Sequence, residues 1–340
     1  MSAKKLTKLA LAAAIATSSV AVAKDEVVLR FSYFWPATSA FHKGAVEPWA
    51  KKIEQESNGR LKIQLFPSST LSKATATYEA AVKGTVDIGS QAQGYTNGRF
   101  PLTQIAELPG LSSTATQMGC ILQTLYDNGT IASEYEDSHV LFMYGLGPSA
   151  IHTADKAVKK PEDLKGLRIR RPSAVAGDLI ETLGASPVGM PAGDVYTSLQ
   201  KGVIDGLSFP WEASKAFRVN EVTKYHTNMP LYTSSLVVNM NKAKYDSLPD
   251  DLKKVLDNNS GMEMAKKVGA IYAEYDQAAI DDAVAKGGEL IEIPDPLNDP
   301  DWGGPLKAGT QKYLDSVTAT GKDAEGVYKA AQAASAACKE

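Results

Sequence analysis

Three arginines fall within four positions of the segment GLRIRRPS: Arg168, Arg170 and Arg171. A guanidinium is a planar donor fork that stays charged at physiological pH, and it grips carboxylate, sulfonate or phosphate through paired hydrogen bonds. Leu167 and Ile169 alternate with Arg168 and Arg170, which is the period of a strand, and Pro172 stops it. Arg168 and Arg170 then share one face, and Arg171 points to the other. The expected division is Arg168 on a structural carboxylate, Arg171 toward water, and Arg170, last in the strand on its face, meeting an anion in a cleft.

Charge and compartment narrow that anion. Lys4, Lys5 and Lys8 precede the short apolar run LALAAAIA, and Ala21-Val22-Ala23 reads as a cleavage site ahead of Lys24. A signal peptide over 1–23 and a mature protein exported to the periplasm are expected. The apolar run is far short of the ~20 residues that span a bilayer, and no later segment approaches that length. No cysteine sits immediately after the cleavage site, so no lipid anchor is expected, and without a later segment of spanning length direct membrane insertion is not expected either. The whole chain carries 36 basic and 39 acidic residues, and loss of the three signal lysines leaves a net charge of −6. Nucleic acid, which needs a basic footprint, is therefore excluded as the partner. The arginine cluster is local, and its partner is small.

Chemistry beyond binding finds no support. The sequence holds no G-x-S-x-G, H-E-x-x-H, G-x-x-x-x-G-K-[ST] or G-x-G-x-x-G motif. No cofactor and no metal is expected, since the four histidines are scattered and zinc spacings are absent. His42, His139 and His226 read as structural or surface residues. His152 is kept as a candidate because it follows the presumed strand LFMYGLGPSAIHT. Cys120 and Cys338 are read as two unbridged thiols in preference to a disulfide, although export permits one.

The elements that must position Arg170 follow an alternating grammar. VVLRFSYFW is a strand, a helix runs from about Lys43 to Ser57, and RLKIQLF alternates apolar and polar residues. A helix from about Ala74 to Lys83 precedes the strand TVDIGS. The second half repeats this: LKGLRIRRP, VAGDLIETLG, SPVGMP, AGDVYTSLQKG and VIDGLSF read as strand, helix, strand, helix and strand. Alternation of this kind predicts doubly wound α/β domains. From Pro249 to Gly287 the pattern is helical, 295–304 reads as loop, and Ala324–Ala336 is a closing helix. In open sheets, ligands bind beyond the carboxyl ends of strands. Trp35, Gln93, Arg170, Phe209 and Trp211 fall there, drawn from both halves of the chain.

The run DLKGLRIRRPSA…LGASPVGMPAGDVYTSLQKGVIDG resembles the central signature of TRAP-type solute-binding proteins, the periplasmic receptors of tripartite ATP-independent transporters, of the C4-dicarboxylate-binding kind. NGRLKIQLFPSSTL, YEAAVKGTVDIG and SSLVVNMNKAKYDSLP extend the resemblance over nearly all of the mature chain. It implies two α/β domains with mixed or parallel sheets, joined by hinge strands and a long spanning helix, like type II periplasmic binding proteins. The expected layout is 24–148 for the first lobe, 149–238 for the second, and 239–340 returning through the hinge to complete both. The resemblance gives Arg170 a two-pronged salt bridge to the ligand and places Asn239 near the hinge, touching it. It also implies delivery to the membrane subunits of a TRAP permease; a monomer is the default expectation for a delivery protein. Sialic-acid-type members carry a second arginine, aligned here with Ala150, and an amide aligned with Phe209. Their loss favours a smaller anion: a C4-dicarboxylate, a hydroxy or aromatic acid, or a short sulfonate such as isethionate. A periplasmic sensor subunit is the alternative, and an enzyme using His152 or Glu212 as its base is a remoter one.

Overall fold

A computed structural model describes residues 26–339. The signal peptide and the Ala23/Lys24 junction lie outside them. The strands are β1 (Val27–Tyr33), β2 (Leu61–Phe66), β3 (Ile88–Ala92), β4 (His139–Gly145), β5 (Ser149–Thr153), β6 (Arg168–Arg171), β7 (Ser186–Gly189), β8 (Gly206–Pro210), β9 (Tyr225–Asn228), β10 (Ser235–Met240) and β11 (Glu289–Glu292). The α-helices are α1 (Glu47–Glu56), α2 (Thr77–Val82), α3 (Ala115–Asp127), α4 (Ala174–Thr182), α5 (Val195–Gln200), α6 (Trp211–Ala216), α7 (Lys242–Asp246), α8 (Asp250–Asp257), α9 (Gly261–Ala285), α10 (Gly303–Thr318) and α11 (Ala324–Ala337).

Local chemistry explains the boundaries. Helix α1 ends where Asn58 and Gly59 turn left-handed, at φ 53° and 76°. Pro172 stops β6, and the Ser173 hydroxyl then accepts the Ala176 N–H at 3.3 Å to cap α4. The strand-to-helix corner beside Arg170 is thus written in four consecutive residues.

The strands form two mixed sheets, in the orders β2-β1-β3-β10-β4 and β11-β9-β5-β8-β6-β7. In the first, β1 runs parallel to β2 and β3, and β10 is antiparallel to both its neighbours. In the second, β6, β7 and β8 are parallel, while β5 is antiparallel to β8 and β9. Each sheet with its helices makes one lobe. Strand β10 straddles the expected 238/239 boundary and belongs to the first sheet, whereas β11 returns to the second.

Two segments carry the chain between the sheets, and they bond to each other. The Leu146 N–H donates to Ser234 O at 3.2 Å and the Ser149 N–H to Tyr232 O at 2.8 Å. Helix α9 adds a third link, packing on α3 and β4 on one side and on α6 on the other. Gly269 permits the close α3 crossing, since a Cβ there would lie 2.4 Å from Thr116 Cα.

Four expectations change. LFMYGLGPSAIHT is not one strand: Gly145-Leu146-Gly147-Pro148 breaks it into β4 and β5, which enter different sheets. The strand read at TVDIGS begins later, at Ile88. Gly303 and Gly304 fell in the expected 295–304 loop, yet they start α10, whose first turn also tolerates Pro305. Finally, Cys120 and Cys338 are bridged, with Cα atoms 5.9 Å apart. A separation of 218 residues gave no geometric hint. The contact arises because α11 packs along α3, where Gln117 Nε2 also donates to Ser335 O at 3.1 Å.

Candidate functional site

Arg170 lies between β7 and β8, opposite Val188 and Leu207, with 1% of its surface exposed. Its Nε donates to Met190 O at 2.9 Å, Nη1 to Ser208 O at 3.3 Å and Nη2 to the Tyr95 hydroxyl at 3.4 Å. The guanidinium carbon sits 5.1 Å from the centre of the Phe209 ring. All of these partners are neutral, and none of the ion pairs among the described residues includes Arg170. Its neighbours behave otherwise. Arg168 is held by Asp205 through Nε–Oδ2 at 3.0 Å and Nη2–Oδ1 at 2.7 Å. Arg171 is half-buried and donates to Ser173 O at 3.0 Å. Removing a cation from water without an anion is unfavourable by several kcal/mol, and carbonyls and an aromatic face offset that only in part.

The guanidinium borders a narrow cavity between the lobes. Phe34, Trp35, Tyr95 and Leu236 close it from the first lobe, and Phe209, Ala192 and Ala213 from the second. Leu146 and Ser234 of the crossing segments form its back. Arg170 is the sole charged residue in this lining. A water-sized sphere has only about 20 Å³ to occupy here. Tyr95 bridges the lobes, since its hydroxyl accepts from Arg170 and from the Ala192 N–H at 3.0 Å.

The structure brings together Arg170, Phe209 and Trp35 of the residues expected at the site; Trp35 donates Nε1–H to the Tyr144 hydroxyl at 3.2 Å. It places the others elsewhere. Gln93 is buried and donates to the Tyr135 hydroxyl at 3.0 Å, inside the first lobe. Asn239 lies on β10 at its register shift, with its amide toward Tyr78 O of α2. Trp211 donates to Asn228 Oδ1 at 2.8 Å and packs with Ala150, Ala279 and Ala283, on the α9 side. Ala150, the position aligned with a second arginine, is therefore outside the cavity lining as well. His152 is within β5 rather than beyond a strand end. Its Nε2 contacts Phe209 O at 3.0 Å and its Nδ1 contacts His226 Nδ1 at 2.8 Å. Burial, with the neighbouring imidazole, lowers His152 to about 3, and burial lowers His226 to about 4. With both rings neutral, His226 donates to His152, which donates to Phe209 O. The pair props the backbone of a cavity residue from behind.

Tyr95, Leu146 and Ser234 were not expected here. Tyr95 sits three residues past β3 and two beyond Gln93, the residue at the strand end. Leu146 is apolar and Ser234 uncharged, and only the crossing of the two linkers places them.

Glu212 marks the lobe junction. Its Oε1 accepts the Ala40 N–H of the first lobe at 2.9 Å, and its own N–H donates to Asp276 Oδ1 on α9 at 3.0 Å. Burial, reinforced by Asp276, pushes the Glu212 carboxyl from 4.5 up to about 7. In the unfolded chain it ionises near 4.5, so the folded state holds the extra proton between pH 4.5 and about 7. Its contribution to stability therefore falls as pH rises through that window. Glu212→Gln keeps the acceptor for Ala40 and removes the charge. Its melting temperature at pH 8 is expected above that of the wild type, by the equivalent of roughly 3 kcal/mol at most, with the gap closing toward pH 5. Scanning fluorimetry across pH checks this, and a variant less stable at pH 8 would contradict the assignment.

Residues 31–301 match the family described as bacterial extracellular solute-binding protein, family 7, DctP. The chain belongs to this family. Among DctP relatives, it is 30% identical over 283 residues to the 2,3-diketo-L-gulonate-binding periplasmic protein YiaO of Escherichia coli (strain K12), covering 82% of this chain and 84% of that one. Two solved structures share its fold closely. A marine metagenome TRAP solute binding protein specific for aromatic acid ligands, in complex with metahydroxyphenylacetate, is 34% identical with a TM-score of 0.88, covering 93% and 100% of the two chains. One from Rhodoferax ferrireducens T118, in complex with copurified benzoate, is 31% identical with a TM-score of 0.85, covering 92% and 98%. In this chain two α/β lobes enclose a cleft, and no helix among the described residues is long and apolar enough to cross a membrane.

Proposed function

We propose that this chain is a periplasmic receptor that traps a small aromatic carboxylate between its lobes, with Arg170 as the anionic anchor, and delivers it to a TRAP membrane permease. One observation carries the reading: a buried guanidinium without an ionic partner borders a cavity walled by Phe34, Trp35, Tyr95 and Phe209. One cation matches one acidic group. The second carboxylate of a C4-dicarboxylate would face carbon, which is unfavourable without a partner. The benzoate and hydroxyphenylacetate of the two similar structures support the same ligand class. The narrowness of the cavity fits a closed conformation, so a ring enters when the lobes part and is enclosed as they meet. The protein works as a monomer with one ligand and no turnover. His152 and Glu212, the candidate bases, both lie outside the cavity lining, His152 behind Phe209 O and Glu212 on the Ala40 N–H.

A thermal-shift and calorimetry panel tests this. Benzoate, 3-hydroxybenzoate and 3-hydroxyphenylacetate are expected to stabilise the protein, by ~2.7 kcal/mol at a hundredfold excess over Kd. Succinate, malate and isethionate are expected to give little shift. Stabilisation confined to the dicarboxylates or the sulfonate would overturn the aromatic assignment.

A further inference from the structure

Beyond the anchored end of the ligand lies a second space. A wide recess at the mouth of the cleft is bounded by Ser68, Ser69 and Lys73 of the first lobe and by Pro191, Asp194 and Phe217 of the second. It offers a water-sized sphere about 690 Å³, against about 20 Å³ in the inner cavity. Phe34 is the one residue that lines both. Its ring, 6% exposed, lies nearly parallel to that of Phe217 across the lobes, with centroids 6.4 Å apart and planes at 17°. It also packs on Trp35 at 4.8 Å and Tyr95 at 5.2 Å. Phe217 in turn contacts Trp35 at 5.7 Å and Phe209 at 6.0 Å. The partition between cavity and recess is therefore an aromatic pair with one member from each lobe.

Both members are held by strained backbone. Among the described residues, the non-glycine positions with positive φ are Asn58, Ser68, Ser69 and Arg218. The last three flank this partition. Ser68 and Ser69 donate their N–H groups to Trp35 O and Tyr33 O, both at 2.9 Å, which clamps the chain on either side of Phe34. Arg218, directly after Phe217, is fixed by Glu221 through bonds of 2.9 and 2.7 Å. Left-handed non-glycine residues are strained and gather where a surface must be held in one shape.

We propose that Phe34 and Phe217 form an interlobe plug that sets the maximum length of the ligand, measured from Arg170. This rests on the aromatic-carboxylate reading above and adds to it a specificity-determining pair. A single-ring acid ends at the plug. A longer acid, with a second ring opposite its carboxylate, reaches the recess only by displacing Phe34. Removing either ring joins the two spaces.

The test compares benzoate with biphenyl-4-carboxylate by calorimetry on the wild type, Phe34→Ala and Phe217→Ala. The half-buried Phe217, which does not line the inner cavity, provides the variant less exposed to folding defects, and thermal unfolding reports on the fold of each. The wild type is expected to prefer benzoate by at least 100-fold, and each variant to lower that preference at least tenfold. A preference unchanged in both variants, with benzoate still bound, overturns the plug alone. A wild type that binds no single-ring acid overturns the underlying reading, and the plug with it.

Discussion

Replacing Arg170 by alanine is expected to lower ligand affinity by two to three orders of magnitude while the protein stays folded. Truncating one partner of a buried charge pair removes 2–5 kcal/mol of binding, roughly 30-fold to several thousand-fold. No second cation lines the cavity to take over. The fold is expected to survive because the substitution has opposing consequences. The Met190 and Ser208 carbonyls lose a donor, and an unpaired buried charge disappears. The melting temperature of the ligand-free variant should stay within several degrees of the wild type. Arg170→Lys should recover little, because an ammonium cannot reproduce a planar fork that also lies on Phe209. Calorimetry with benzoate beside thermal unfolding separates the outcomes. Unchanged affinity in Arg170→Ala would remove Arg170 from the site.

The second large effect concerns stability. Cys120→Ser/Cys338→Ser is expected to destabilise the protein by about 2–5 kcal/mol, because the bond closes a very long loop in the unfolded chain. The loop spans 218 residues and fastens α11 to α3. For a chain of this size the loss corresponds to a fall in melting temperature of roughly 3–8 °C. Neither cysteine lines the cavity, so affinity measured well below the new melting temperature should be unchanged. Wild-type protein with reductant should match the variant. Equal melting temperatures with and without reductant would show the bond to be energetically idle.

The place of Arg170 beside the cavity between the lobes could be read from the chain alone because its signal is local. Strand alternation, a terminating proline and a helix-capping serine all fall within Gly166–Ser173. Phe209 and Trp35 were accessible for a similar reason, being aromatic residues at strand ends. Trp211 and His152 show the limit of that rule. Trp211 begins α6 and turns toward α9, while the glycine-proline break before Ser149 puts His152 inside a strand. Which way such a side chain faces is decided by tertiary neighbours. The disulfide and Ser234 were illegible on the same ground, since each depends on segments far apart in sequence that meet only when both lobes are assembled.

The position of β10 has a consequence for how the chain acquires its structure. In the first sheet β10 separates β3 from β4. Until Ser235–Met240 arrives, that sheet is three strands and an unpaired fourth, with its hydrogen-bonding edges open. The second lobe is different: β5 through β9 are contiguous between Ser149 and Asn228, and only the edge strand β11 comes later. The sheet that begins the sequence therefore stays open at its centre until residues 235–240 arrive, and it waits on pairings of large sequence separation, which form slowly. Disulfide closure waits longer still, for Cys338. A chain with this order of assembly remains without a finished N-terminal half through most of its synthesis, the condition in which an unfolded polypeptide can be threaded through a narrow export channel.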